Sequence, residues 1–382
     1  MMRRNFQFSI LSFQFICLCF LFGCTQKEKT MEKELTMVVG TYTDGDSEGI
    51  YTFRFNQETG ETVALSKAEV SNPSYLTISD DNKYVYAVSE HGDGREAVNA
   101  FKFDKSAGTL HFINKQPAMG ADPCYISTNG KNIVTANYSG GSISVFPIGK
   151  DGEVLAASDV INFSGSGPDT LRQKSSHLHC VEFSPDGKYL FANDLGADNI
   201  YKMDVNAKAD AENKQRFLSL GTPHAFKVSG RSGPRHITFT PNGQYAYLIN
   251  EIGGTVTGFQ YSDGMLKEIE TVVADDVHAE GSGDIHVSPD GRFVYATNRL
   301  QADGLAIFQI NQTDGKLTRV GYQLTGIHPR NFIITPNGKY LLVACRDNNA
   351  IQVFERNQET GLVTNTQKDI KVDKPVCIKF AN

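Results

Sequence analysis

One pattern recurs six times along this chain and limits its fold more than any other feature. The stretch GPRHITFTPNGQYAYLINE, Gly233 to Glu251, has counterparts in NPSYLTISDDNKYVYAVSE (72–90), DPCYISTNGKNIVTANY (122–138) and SHLHCVEFSPDGKYLFAND (176–194). Two more follow it, GDIHVSPDGRFVYATNR (283–299) and HPRNFIITPNGKYLLVACR (328–346). Each copy is a pair of apolar runs around a turn built from Pro, Asp, Asn or Gly, so each predicts a β-hairpin. The turn residues Asn82, Gly130, Gly187, Gly243, Gly291 and Gly338 stand 48, 57, 56, 48 and 47 residues apart. A third apolar run follows the hairpins, as in AVNAFKF, GSISVFPI, TVTGFQY, GLAIFQI and AIQVFER, and a polar turn then leads to a fourth. Four strands repeated at this period predict an all-β fold, a β-propeller of four-stranded antiparallel blades. The 35 glycines suit its many turns, and the absence of Trp argues against the WD-repeat variety.

A seventh unit is split between the chain ends. KPVCIKF (374–380) matches only a first strand, whereas LTMVVGTYTDGDSEGIYTFRF (35–55) matches only the second and third. Joined in space they complete a seventh blade, closing the ring and removing its free edges. One domain over 35–382 is therefore expected, although the length alone would suggest two.

The first 24 residues are different in kind. Arg3 and Arg4 precede the almost uncharged run FQFSILSFQFICLCFLFGC, which predicts a secretory signal over 1–24. LFGC resembles a bacterial lipobox, which would make Cys24 a lipidated N-terminus and 25–34 a polar tether. Export to the periplasm or cell envelope follows, with membrane attachment only through that anchor. Loss of both arginines would move the formal charge from -6 to -8. With no basic patch, nucleic acid is excluded as a partner, and a monomer is expected. Cys124, Cys180, Cys345 and Cys377 sit singly in apolar runs without CxxC spacing, so they read as buried thiols. An oxidising compartment leaves a disulfide among them open.

The ends of the repeats carry the chemistry. In a propeller the first strand lines the central channel and the second runs back beside it. The start of one and the end of the other thus share a channel mouth, opposite the hairpin turn. This brings Arg235 and His236 beside Glu251, and His177 and His179 beside Asp194. Asp284 falls near Asn298 and Arg299, and Arg330 near Arg346; Glu90, Asn137-Tyr138 and Thr41-Tyr42 complete the ring. The mouth therefore reads as a polar pocket and the hairpin side as turn chemistry alone. Structural roles remain open for Asp194 and Asn298 as turn caps and for the arginines as ties between blades. His177-x-His179 has the spacing of two metal ligands but lacks a third, so neither a metal nor another cofactor is expected. The segment 206–220 reads as a surface insertion.

These residues resemble the lactonase family of seven-bladed propellers, whose best-known member is bacterial 6-phosphogluconolactonase. The likeness rests on VVGTYT, NPSYL, ANYSGGSISVF, SHLH, GPRHITFTPNGQYAYLINE, DIHVSPDGRFVYATNR and HPRNFIITPNGKYLLVAC, and spans 38–380. It implies hydrolysis of a sugar lactone to its aldonic acid, a carboxylic-ester hydrolase with a small anionic or sugar-derived substrate. The family's mouth residues fall on His179, Arg235, His236, Glu251, Arg299 and Arg330. In chemical terms His236 or Glu251 would be the base and Arg235 the oxyanion partner. His179, Asp194, Asp284, Arg299, Arg330 and Arg346 would hold substrate. This chain has His177-Leu178-His179 where the family often has His-Pro-His, and Asp284 where a Glu is common. No Gly-x-Ser-x-Gly elbow is present, so no acyl-enzyme is expected. A non-enzymatic envelope binding propeller and a muconate-type cycloisomerase are the alternatives.

Overall fold

The structure is a computed structural model and describes residues 1–2, 32–213 and 215–381. All but the first two residues of the leader read over 1–24, Cys24 included, and nearly all of the tether lie outside the described residues. Seven antiparallel sheets are found among those residues, each with four strands in radial order; the sixth also pairs a short fifth strand, Ile370–Lys371. Blade 1 holds Leu76–Ile78, Tyr84–Ser89, Ala97–Asp104 and Thr109–Pro117; blade 2 holds Pro123–Thr128, Asn132–Asn137, Ser142–Pro147 and Asp159–Asn162. Blades 3, 4 and 5 begin with the inner strands Leu178–Phe183, Pro234–Phe239 and Ser282–Val287, and blade 6 with Pro329–Ile334.

Blade 7 is the split unit. Its inner strand, Pro375–Ala381, runs antiparallel to Glu34–Thr41, from Thr36 opposite Ala381 to Thr41 opposite Pro375. Gly49–Asn56 and Thr62–Glu69 complete it. Edge groups that would be free at both chain ends are thereby paired.

Local chemistry sets each hairpin. In the fourth copy Thr240 Oγ1 donates to Asn242 Oδ1 at 2.7 Å, and Tyr245 N–H donates back to Thr240 Oγ1 at 3.0 Å. Gly243 takes the positive φ of 66° that closes the turn. The hydroxyl-x-Asp/Asn arrangement recurs at Ser184 with Asp186, Ser288 with Asp290 and Thr335 with Asn337. The second strands are buried throughout, as in Tyr245–Asn250 and Phe293–Asn298, because each is covered by both neighbouring blades. Arg356 has a fully buried side chain and fastens blade 6 to blade 5 through Asp290 at 2.8 Å and Tyr295 Oη at 2.7 Å.

Two readings of the sequence meet the structure here. Cys124, Cys180, Cys345 and Cys377 are all buried and unpaired. The 206–220 segment is more than a surface insertion: Ala209 and Phe217 are buried, and Asn132 Nδ2 donates to the Ala209 carbonyl at 2.9 Å. Its apolar side chains join the main hydrophobic core, with Phe217 against Phe183 of blade 3, which the mixed charge of the segment hides.

Adjacent blades are stitched where a glycine meets an aromatic ring. Gly315 (φ 74°) lies in a turn of blade 5 whose Thr313 and Gly315 carbonyls accept hydrogen bonds from Tyr245 and Tyr247 of blade 4. A methyl group on Gly315 would run into the Tyr245 ring. Gly130 (φ 82°) faces open space. Gly315→Ala is therefore expected to cost about 3 kcal/mol, from overpacking as well as backbone strain, whereas Gly130→Ala costs about 1. Urea midpoints of the two variants measure the difference.

Candidate active site

The inner strands are not regular where they meet the mouth. Their pairing slips by a residue between Pro123 and Tyr125, Leu178 and Cys180, Pro234 and His236, and Pro329 and Asn331. A wider slip lies between Ser282 and Ile285. The unpaired residues are Cys124, His179, Arg235, Arg330 and the Gly283-Asp284 pair. A β-bulge adds a residue and re-aims its side chain. The same backbone device, repeated around the ring, thus turns His179, Arg235, Asp284 and Arg330 toward one place.

Glu251 is the centre of the outer layer. It directly follows the second strand of blade 4, and its N–H donates to the Gly233 carbonyl at 2.8 Å, so the hairpin returns it to its own start. Three guanidinium groups converge on its buried carboxylate. Arg235 Nε lies 2.9 Å from Oε2, Arg299 Nη2 3.2 Å from the same oxygen, and Arg172 Nη2 2.6 Å from Oε1. Burial pushes the carboxyl pKa up, but Arg299, Arg235 and Arg172 together bring it down to about 2. Its carboxylate is committed to these three ion pairs. This separates Glu251 from the base role that its position alone suggested.

His236 and Asp284 form the inner layer. His236 Nδ1 lies 2.7 Å from Asp284 Oδ1, and both side chains are buried. Burial and then Arg235 pull the His236 pKa down to about 3, against the pull of Asp284. The imidazole is neutral at pH 7, and the ionised carboxylate assigns its proton to Nδ1. Nε2 is left with a lone pair, and Arg235 Nη1 stands 3.4 Å from it. The edges of Tyr125 and Tyr75 pack on the ring at 5.2 and 5.9 Å between centroids.

The remaining predicted residues divide. His179 joins the cluster, 4.0 Å from Glu251 Oε2 and 5.2 Å from the His236 ring. Arg330 also reaches it: its guanidinium lies 5.3 Å over the Tyr42 ring and 3.9 Å from Glu90, and makes no hydrogen bond among the described residues. Arg299 donates to the Gly281 and Ser282 carbonyls at 2.7 and 3.2 Å as well as pairing with Glu251. Asp194 departs from the substrate-binding role: its Oδ1 accepts from the backbone N–H groups of His177, Gly196 and Ala197, which makes it the turn cap. Arg346 is turned to its neighbour Asp347, with Nε 2.6 Å from Oδ1, and not to Arg330's side of the mouth.

Three contributors were not legible as site residues. Arg172 comes from a loop outside the repeat register, where Asp169 Oδ1 accepts from the N–H groups of Leu171 and Arg172 and shapes the turn. His328 Nε2 stands 3.3 Å from Arg299 Nη1, and burial followed by Arg299 holds it at about 3. Asn331 reaches Asp284 Oδ2 from blade 6. The hydroxyl of Tyr42, expected only as part of the ring, donates to Glu90 at 3.0 Å.

Comparison with known proteins shows the family. The family model described as "Lactonase, 7-bladed beta-propeller" matches residues 36–380. The chain is 38% identical over 350 residues to a 6-phosphogluconolactonase of Formosa agariphila, covering 88% of this chain and 97% of that protein. A Bacillus subtilis 6-phosphogluconolactonase is 37% identical, covering 90% and 97%. Among solved structures, a candidate 6-phosphogluconolactonase from Bacteroides fragilis is 67% identical with a TM-score of 0.92, over 92% of this chain and 99% of that one. The periplasmic gluconolactonase of Pseudomonas aeruginosa is 33% identical with a TM-score of 0.84, over 91% and 99%.

Buried neutral histidines make the fold acid-sensitive. The unfolded chain binds protons at His236 and His328 near pH 6.5, while the folded chain does so only near 3. Stability therefore falls as pH drops below about 6.5, by about 4 kcal/mol at pH 5 for the two together. Glu251, lowered from 4.5 to about 2, adds its own loss only at pH below its unfolded value. Urea midpoints at pH 7 and pH 5 measure the drop, and His328→Asn is expected to reduce it by about half.

Proposed function

Since the chain belongs to the seven-bladed β-propeller lactonases, we propose that it hydrolyses a sugar lactone to its aldonic acid at this mouth. The observation that carries the mechanism is the 2.7 Å contact between Asp284 and His236, which fixes a proton on Nδ1 and presents the Nε2 lone pair beside Arg235 Nη1 at 3.4 Å. A water hydrogen-bonded to Nε2 attacks the lactone carbonyl carbon, and its proton passes to Nε2. The carbonyl oxygen becomes an anion beside Arg235, whose charge is already in place. When the tetrahedral intermediate collapses, the ring C–O bond breaks and the leaving oxygen takes the proton from Nε2. The product is an open-chain carboxylic acid, ionised at neutral pH.

Other residues divide the remaining work. Glu251 fixes Arg235, Arg299 and Arg172 in place, and His179 borders the reacting water. Arg330 grips a negatively charged or polar oxygen of the substrate. Since three of the four site arginines are engaged by Glu251, the arrangement favours a lactone without a phosphoryl group. The leader before Cys24 supports the same choice, because phosphorylated sugar lactones are formed inside cells. Export is further supported by the periplasmic location in the description of the Pseudomonas aeruginosa relative.

Titrating acid release from gluconolactone and its 6-phosphate, above the spontaneous rate, tests this function. His236→Ala and Asp284→Asn are each expected to lower kcat by 10²–10⁴-fold, the second by favouring the wrong tautomer. The unphosphorylated lactone should have the higher kcat/KM. Acid release unchanged in both variants would remove His236 and Asp284 from the mechanism. In a bacterial host, fatty-acid labelling of the wild type but not of Cys24→Ser is the expected mark of the lipid anchor.

A further inference from the structure

The hairpin-side half of the channel carries more than turn chemistry. Glu182, His286 and Lys379 are partly exposed there, two residues along the inner strands from Cys180, Asp284 and Cys377. A buried layer that includes Tyr75, Tyr125, His236 and Asn331 separates them from the mouth. Tyr75 and Tyr125 stack at 4.1 Å, and the Tyr125 hydroxyl donates to Glu182 at 2.8 Å.

Asp284 touches both halves. Its Oδ1 accepts from His236 Nδ1 at 2.7 Å and from the Ile285 N–H at 3.0 Å. Its Oδ2 accepts from His286 Nε2 at 2.9 Å, from Asn331 Nδ2 and from the Phe332 N–H at 3.3 Å. His286 is 29% exposed and packs edge-on against Phe332 at 4.8 Å. The charged or titratable groups facing it are Asp284 on its own strand, His236, and Glu182 across the channel with Lys379 beyond.

A carboxylate has a limited capacity to stabilise positive charge, and each added donor weakens its hold on the others. We propose that His286 is a positioning residue for the reaction: by sharing Asp284 from the far half of the channel, it limits how firmly that carboxylate supports a proton on His236. The inference rests on the reading of His236 as the base. It gives the second half of the channel a purpose, since the base faces substrate on one side while the group that tempers it faces solvent on the other.

The test compares wild type, His286→Leu, which removes the donor, and His286→Gln, which keeps an N–H within reach of Oδ2. The acid limb of kcat/KM on gluconolactone is expected to move up by about one pH unit in H286L, with KM on the plateau changed by less than about twofold. H286Q should restore the wild-type limb. Nitrogen-15 titration of His236 in the same proteins reads the coupling without substrate, and its midpoint should rise in H286L. An unmoved midpoint and limb in a folded H286L would overturn the proposal. A wild type inactive on every sugar lactone would instead overturn the functional reading, with the titration still deciding whether Asp284 is shared. Should H286L fail to fold, His286→Asn, whose amide is too short to reach Oδ2, carries the same expectation.

Discussion

Pairing of Pro375–Ala381 with Glu34–Thr41 is the constraint on which the rest of the molecule depends. Each blade buries its second strand only because a neighbour stands on either side, so an open ring would expose apolar faces at two ends. Closure also reaches the chemistry through a short chain of contacts. The Ile378 N–H of the closing strand donates to Asn331 Oδ1 at 2.7 Å, and Asn331 Nδ2 in turn holds Asp284 Oδ2. Asp284 then orients His236. The closing strand therefore helps to aim His236, which lies more than 140 positions earlier.

Inside the ring, charge is buried at a density that only mutual pairing permits. An isolated Glu251 carboxylate would be neutralised by burial, and an isolated Arg235 or Arg299 would be strongly disfavoured. Together they settle as one unit, and Arg330 beside Tyr42 is left as the cation least satisfied by protein. Burial, and then the charge of Arg235, keep His236 neutral. The surroundings proposed to stabilise a developing anion thus also keep the proposed base unprotonated, and acid sensitivity of the fold is the accompanying cost.

The architecture was legible because it is written as repeats. Hairpin turns at a near-constant period, and two half-units at the ends, determine seven blades and the closing pair without any contact being known. The meeting of Arg235, His236 and Glu251 followed from hairpin geometry alone. What the pattern hid has local causes. A bulge is a slip in pairing, and the alternation of apolar residues in PRHITF or GDIHV does not reveal which residue is unpaired. Arg172 lies in an irregular loop, with no register to assign it to the mouth. Asp194 looks like Glu251 in the aligned copies, yet it caps backbone N–H groups because the turn following it folds back onto its carboxylate. His286 was obscured by the assumption that the hairpin side is inert.

The central claim is that substrate is turned over at the His236 side of the channel, between that imidazole and Arg235. A crystal structure of the protein with the aldonic acid product bound tests it most directly. The account predicts a product carboxylate oxygen within hydrogen-bond reach of both His236 Nε2 and the Arg235 guanidinium, with Arg330 on the polyol chain. Product seated in the surface groove of about 700 Å³ lined by His91, Asn99 and Lys115, with the mouth left empty, would contradict it.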